Sequence, residues 1–186
     1  MKMGMLWETQ SRVVAVDVET TGLSARQGGR VIEIGLVAVE DGCLAAEFDT
    51  LIDCGAPISL GAFRVHGISE DMLAGQPEPA QVWPQVMDFM GNSPLIAHNA
   101  PFDSSCVRRE LAFLGLSLPN PWHCTVRLSR KVLPKLENHR LDTVYRHLFG
   151  DLPCTVQRHR ALDDARLAAR VWMELMGGVN EKYVNG

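Results

Sequence analysis

The hydrophobic positions of this chain change their period about a third of the way along. Residues 12–18 and 31–40 are β-branched and apolar in short runs, a strand pattern. Asp41-Gly42 is a strong hairpin signal and residues 43–53 read as the returning strand, so the first third predicts an antiparallel meander. Residues 55–60 are rich in turn formers. Helical spacing follows near 69–74 and over 79–90, where Pro84 counts against the early turns. A short strand over 95–97, a helix over 101–114, a strand near 122–125 and helices near 126–132, 141–149 and 161–176 complete the pattern.

Strands that alternate with helices after a meander predict an α/β fold, a mixed sheet flanked by helices. With 186 residues and 46% hydrophobic content there is material for one core. The expectation is a single domain over 1–186, its core at about 12–176, with short tails at both ends. No apolar run approaches the roughly 20 residues of a membrane span, and residues 1–10 lack the basic end and long apolar stretch of a signal peptide. A cytoplasmic protein without membrane association is expected. The five cysteines are odd in number and never reach Cys-x-x-Cys spacing, so they read as reduced core fillers rather than disulfides or zinc ligands.

The formal charge of -4 argues against electrostatic gripping of long duplex DNA. Its distribution adds something: residues 1–120 carry 7 Lys+Arg against 15 Asp+Glu, whereas residues 121–160 carry 8 against 3. Solvated helix faces explain such a stretch about as well as anion binding does. Arg127, Arg130 and Arg158 are the candidates for holding phosphates.

The chemistry is carried by acids. Asp17 and Glu19 stand where the first strand is ending, before the Thr20-Thr21-Gly22 turn, and residues two apart on a strand share a face. Two carboxylates that close beside a Val-rich sheet repel one another and resist ionisation unless a cation neutralises them. Hard oxygen ligands select Mg²⁺ or Mn²⁺ over softer-site metals. An isolated Asp-x-Glu is more often just a polar strand end. Asp103 falls in the first turn of a helix begun by Pro101, with Asn99 nearby as a cap; there an Asp ordinarily stabilises the helix dipole. It also shares a stripe with Val107, Leu111 and Leu114, which turns it inward. His98 and Asn99, at the end of the short strand, border the same crevice, although loop hydrogen bonding accounts for each of them taken singly.

In the last helix, Asp163 is in phase with Arg166, Arg170 and Glu174, a solvated face, whereas Asp164 is in phase with Ala168, Val171 and Leu175. Asp164 is therefore the metal-ligand candidate and Asp163 a surface residue. His159 precedes that helix in a loop-like context. Imidazoles titrate near neutrality, so beside metal-bound water it would serve as general base; taken alone it is more often an exposed loop histidine.

These residues fall in three motifs in order: Asp17-Val18-Glu19-Thr20-Thr21-Gly22, His98-Asn99-Ala100-Pro101-Phe102-Asp103, and His159-Arg160-Ala161-Leu162-Asp163-Asp164-Ala165. Together they resemble the DEDDh (DnaQ-like) exonuclease family, in particular the exonuclease domain of the proofreading epsilon subunit of bacterial DNA polymerase III. The likeness runs from about Val13 to about Met176 and takes in Val31-Ile32-Glu33-Ile34-Gly35 and a loop at Val65-His66-Gly67-Ile68.

The resemblance implies a ribonuclease-H-like fold with a mixed five-stranded sheet, and a 3′–5′ exonuclease that releases nucleoside 5′-monophosphates. It implies two Mg²⁺ or Mn²⁺ ions per site. One, held by Asp17, Glu19 and Asp164, would bind a water whose proton His159 removes; the second, sharing Asp17, would stabilise the leaving 3′ oxygen, with Asp103 acting through water. By the same analogy Glu19 contacts the terminal 3′ hydroxyl, and Thr20, His66, His98, Asn99 and Phe102 bind substrate. Phe102 stacking on a base would contribute ~1–3 kcal/mol, although periodicity alone places it in the core.

Few aromatics and an acidic balance suit one or two nucleotides of a frayed single-stranded 3′ end. DNA is the favoured polymer. RNA trimming is the alternative within the enzyme class, since no residue distinguishes the two sugars, and a catalytically silent nucleic-acid-binding scaffold is the alternative outside it. The presence of all five catalytic-type residues argues against the scaffold. Gly177-Gly178-Val179-Asn180-Glu181-Lys182 lacks the Gln-apolar-aromatic run of a clamp-binding peptide, so a free-standing monomer or homodimer is expected rather than a polymerase-associated subunit.

Overall fold

β1 (Arg12–Thr20), β2 (Val31–Glu40), β3 (Cys43–Leu51), β4 (Leu95–Ala97) and β5 (Trp122–Cys124) form one mixed sheet in the order β3-β2-β1-β4-β5. The structure, a computed structural model, describes residues 12–22 and 28–184, with side chains to residue 177. The tail expected before residue 12 lies outside the described residues. Around the sheet lie α1 (Leu60–His66), α2 (Glu70–Leu73), α3 (Pro79–Met90), α4 (Ala100–Phe113), α5 (Thr125–Val132), α6 (Leu141–Phe149) and α7 (Ala161–Val184).

The two-residue period of the central strands sorts side chains onto two faces. Val14, Val16 and Val18 join Ile34, Leu36 and Ala38 against Val86 and Met90 of α3 and Val107 and Leu111 of α4. Val13, Ala15, Val37 and Val39 meet Ala165, Ala169 and Trp172 of α7 on the other face. A third cluster, built on Leu141, Val144, Leu167 and Val171, packs α6 against α7. Each buried Val or Leu contributes about 1.5–3 kcal/mol, so a one-residue slip of β1, which would turn Asp17 into the α3–α4 face, is excluded by several such side chains at once.

β1 is the hub. It runs antiparallel to β2 along its whole length, but pairs with the short β4 only at Val14↔Leu95 and Ala15↔Ile96. β4 thus leaves the carboxyl half of β1 uncovered on that side. That gap admits residues from the helix layers.

α1 and the end of α7 depart from the sequence expectation, and α3 keeps its expected bounds despite Pro84. The turn-rich stretch and the loop expected at Val65-His66-Gly67-Ile68 contain α1, a helix of seven residues started by Ser59, whose Oγ accepts from the Ala62 amide at 3.2 Å, and stopped by Gly67 at φ 71°. Pro84 does not break α3: it stands on the exposed side, and the hydrogen bond it removes belongs to the carbonyl of exposed Ala80, which water can satisfy. α7 runs past the expected end at residue 176 to Val184. Gly177 and Gly178 follow the expected end, and a helical glycine costs only about 1 kcal/mol, so the helix continues through them.

Candidate active site

Asp17 lies opposite Gly35, and Glu19 opposite Glu33, in the β1–β2 ladder. All four positions therefore face α7. Glu33, only 2% exposed, accepts hydrogen bonds from Arg160 Nε at 2.8 Å and Nη2 at 2.6 Å, and from the Ala161 amide at 3.0 Å. This pins the first turn of α7 to β2. Gly35 makes the approach feasible, because a Cβ there would lie 2.3 Å from the Ala161 carbonyl carbon. Asp164, one turn into α7, is consequently held near Asp17 and Glu19 and is buried.

Asp103 arrives from the opposite layer. It occupies the first turn of α4, is 2% exposed, and has the backbone of Val18, on the uncovered part of β1, close enough to favour its charged form. Asp17, Glu19, Asp103, Asp164 and His159 line one crevice of about 240 Å³, together with Thr20, Ala62, Val65, His66, His98 and Phe102. Ligand atoms of Glu19, His159 and Asp164 lie within 4.8 Å of one another, a spacing that one metal ion can bridge, and Asp17 flanks them. His159 takes a left-handed backbone, φ 60°, in the turn that leads into α7. Histidine tolerates that region better than most residues.

Concentrated acid in a dry place shifts every member upward. Burial, then the charges of Asp103, Asp164 and Glu19, raise Asp17 well above the usual carboxylate range. Burial, with Asp164, Glu33 and Asp103, pushes Glu19 to about 8. Burial takes Asp103 to about 8, against the opposing pull of nearby backbone amides, its own and that of Val18. Asp164 is raised by burial too, but Arg158 and His159 counteract it. Four acids that cannot all ionise alone are the donor set that a hard divalent cation fits. Asp17, Glu19, Asp103 and Asp164 are thus the residues that could hold a divalent cation.

The substrate candidates divide. Phe102 is half-buried: part of its ring packs on the α3–α4 core, yet it also lines the crevice. Thr20 is buried and lines the crevice, but its hydroxyl donates to the Gly22 carbonyl. His66 does not lie in a loop. It ends α1, where Nδ1 accepts from the Ile68 amide at 3.0 Å and Nε2 faces the Thr20 carbonyl at 3.2 Å, so it offers the crevice ring carbons rather than a free nitrogen. His98 is likewise engaged, with Nδ1 at 2.8 Å from Thr125 Oγ1 and Nε2 at 2.9 Å from the His139 carbonyl, and burial lowers its pKa to about 4. Asn99 is exposed, outside the crevice lining; it precedes α4 in a left-handed conformation, φ 81°, with no side-chain cap bond. Its place is a matter of backbone geometry.

The arginines also redistribute. Arg127 and Arg130 are exposed on α5, outside the crevice lining. Arg158 enters the site itself, bonded to Asp164. Asp163 is more than a solvated residue: it accepts from the Gln157 amide and from Arg166 Nη1, both at 2.8 Å. Glu33, Gly35 and Arg160 carry positioning roles that the sequence did not single out, although a glutamate inside Val31-Ile32-Glu33-Ile34-Gly35 was a visible anomaly.

A family model described as Exonuclease (RNase_T) matches residues 14–172. The chain belongs to the exonuclease family. It is 38% identical over 158 residues to a DNA polymerase III PolC-type protein of Clostridium perfringens, covering 85% of this chain and 11% of that one. It is 37% identical over 165 residues to a DNA polymerase III subunit epsilon-like protein of Rhodobacter capsulatus, covering 88% and 23%. The chain thus spans about a tenth to a quarter of the length of these relatives. Exonuclease X in complex with 5′ overhanging duplex DNA superposes with a TM-score of 0.75 at 29% identity, covering 90% of this chain and 93% of that one. The nuclease domain of 3′hExo, a DEDDh family member bound to rAMP, does so with a TM-score of 0.76 at 18% identity, covering 91% and 93%, a likeness of fold. The mixed sheet with flanking helices is the ribonuclease-H-like fold of these exonucleases.

The acid cluster of this exonuclease-family chain sets a pH dependence of stability. Glu19 and Asp103 bind protons more tightly folded than unfolded, so between their ordinary values near 4 and about 8 stability falls as pH rises. His98 and His66, lowered by burial, work the other way below pH 6.5, their ordinary value. The window free of that opposition is pH 6.5–8. In EDTA the melting temperature should fall there by about 5 °C or more, and Mn²⁺ should raise it more at pH 8 than at pH 6.5. A melting temperature in EDTA that rises across this window would contradict the clustering of acids.

Proposed function

We propose that this chain removes nucleotides one at a time from the 3′ end of single-stranded or frayed DNA, releasing nucleoside 5′-monophosphates. The observation that carries the reading is the convergence of Glu19, His159 and Asp164 within 4.8 Å, with Asp17 and Asp103, in a crevice too small for a duplex. Two Mg²⁺ or Mn²⁺ ions, held by Asp17, Glu19 and Asp164, with Asp103 acting through water, would supply activation of the attacking water and charge stabilisation at the leaving oxygen.

The protein's own groups do the rest. His159 takes the proton of the attacking water, and its turn before α7 places it at the edge of the acid cluster. Glu19 accepts from the terminal 3′ hydroxyl, which restricts cleavage to ends. Phe102 offers a partly exposed ring to the terminal base, while His66, Val65 and Ala62 bound the space beside it. DNA is supported by relatives named for DNA polymerase III and by the DNA in the Exonuclease X structure. A nucleic acid substrate is what supports a cytoplasmic location. No helix among the described residues is long and apolar enough to cross a membrane.

Matched 5′-labelled single-stranded DNA and RNA oligomers, each with Mg²⁺ and with Mn²⁺, test the reading. A ladder shortening from the 3′ end and faster turnover of DNA are expected. Faster turnover of RNA would reassign the substrate. Binding of both oligomers with no mononucleotide released would leave a silent scaffold.

A further inference from the structure

Two arginines flank His159, and they are held in opposite ways. Arg160 is locked on Glu33, which lies outside the crevice lining. Arg158 donates from Nη1 to Asp164 Oδ1, a candidate metal ligand, while its Nη2 lies 4.0 Å from Asp142 Oδ1 in the first turn of α6. One guanidinium thus spans a carboxylate of the cation site and a carboxylate outside it. A second crevice, of about 430 Å³, lies between them, lined by Arg140, Leu141, Asp142 and Arg158 and opening onto Asp17, His98, His159 and Asp164.

Resting on the metal-site reading above, we propose that Arg158 is a built-in counter-ion which a divalent cation must displace from Asp164, and that Asp142 receives the displaced guanidinium. An oxygen that accepts a guanidinium N–H has that lone pair engaged, and a fixed positive charge beside the site repels an incoming cation. Without the cation, Arg158 relieves the mutual repulsion of Asp17, Glu19 and Asp164. Asp142 is 32% exposed and reached from the second crevice, so the guanidinium has a place to go and solvent around it on the way. Arg158 is a positioning residue here, setting how readily the site loads.

The test is Mn²⁺ affinity of the full chain, measured by titration at fixed pH and ionic strength, for the wild type, Arg158→Met, Asp142→Asn and the double variant. Arg158→Met should tighten Mn²⁺ binding by roughly fivefold or more. Asp142→Asn should weaken it, because Arg158 loses its alternative partner, and this effect should vanish in the Arg158→Met background. Arg158→Lys, charged but without the fork, should fall between wild type and Arg158→Met. Unchanged or weaker binding by Arg158→Met, or an equal effect of Asp142→Asn in both backgrounds, would overturn the proposal. Wild-type protein that binds no Mn²⁺ at a site abolished by Asp164→Ala would overturn the metal-site reading instead. Melting curves in EDTA show whether each variant is folded.

Discussion

Asp164→Ala should lower kcat/KM by about 10³-fold, while Asp163→Ala keeps it within about threefold of wild type. The two residues are adjacent aspartates in the same helical turn, so composition and net charge cannot separate them. Their directions do. Asp164 is buried and lines the crevice within 4.8 Å of Glu19 and His159 ligand atoms, whereas Asp163 holds the Gln157 amide and Arg166. Losing Asp163 costs two hydrogen bonds at a partly exposed site, about 1–2 kcal/mol, and should appear in melting temperature. Losing Asp164 breaks its ion pair with Arg158 but also removes one of four mutually repelling acids, so in EDTA the two effects offset and the melting temperature should fall less than for Asp163→Ala. The larger loss of activity and the larger loss of stability thus fall on different variants. Parallel losses in both would refute the assignment of faces on α7.

Gly35→Ala has the largest expected effect on the fold. The added Cβ would stand 2.3 Å from the Ala161 carbonyl carbon and from the Leu162 amide nitrogen, and 2.5 Å from the Ala161 oxygen. All three are backbone, so α7 must move at its first turn, where Glu33 and Arg160 hold it. Such overpacking costs about 3 kcal/mol, or roughly 6–12 °C of melting temperature for a chain of this size. The displaced turn also carries His159 and Asp164 away from Asp17, which faces Gly35 across the ladder. A misplacement of about 1 Å lowers turnover about 10²-fold, so kcat should fall even at temperatures where the variant is folded. Unaltered melting and turnover would mean that α7 does not seat on Gly35.

Local periodicity carried a good part of this architecture. A two-residue repeat put Asp17 and Glu19 on one face, and helix phase turned Asp103 inward and separated Asp164 from Asp163. β2 and α6 have the bounds that their apolar patterns predict. α1 was illegible because seven residues containing Gly61 and Val65 show no sustained period; its ends are set by the Ser59 cap and the left-handed Gly67. That hidden helix is also why His66 was expected in a loop.

What escaped the sequence is tertiary. Glu33 and Arg160 meet across 127 positions, and no local rule pairs them. The same holds for Glu110, which accepts from Arg30 and from the Val31 amide and so staples α4 to the start of β2. Asn99 does occupy the N-cap position of α4, but in a left-handed conformation, φ 81°, and without a side-chain cap bond, a geometry that residue type does not predict. Charge distribution makes Arg158 a phosphate candidate. In the structure it bonds Asp164, a partner that periodicity does not pair with it.

On the proposed reading, the five converging residues hydrolyse the last phosphodiester of a 3′ end with a divalent cation. The most direct measurement uses single-stranded DNA labelled at its 3′-terminal nucleotide, incubated with the full chain and Mn²⁺, with parallel reactions in EDTA and with Asp17→Asn. Labelled nucleoside 5′-monophosphate should be the first product with Mn²⁺, and should be absent from both parallel reactions. Release that persists in EDTA or in Asp17→Asn, or a first product longer than one nucleotide, would contradict it.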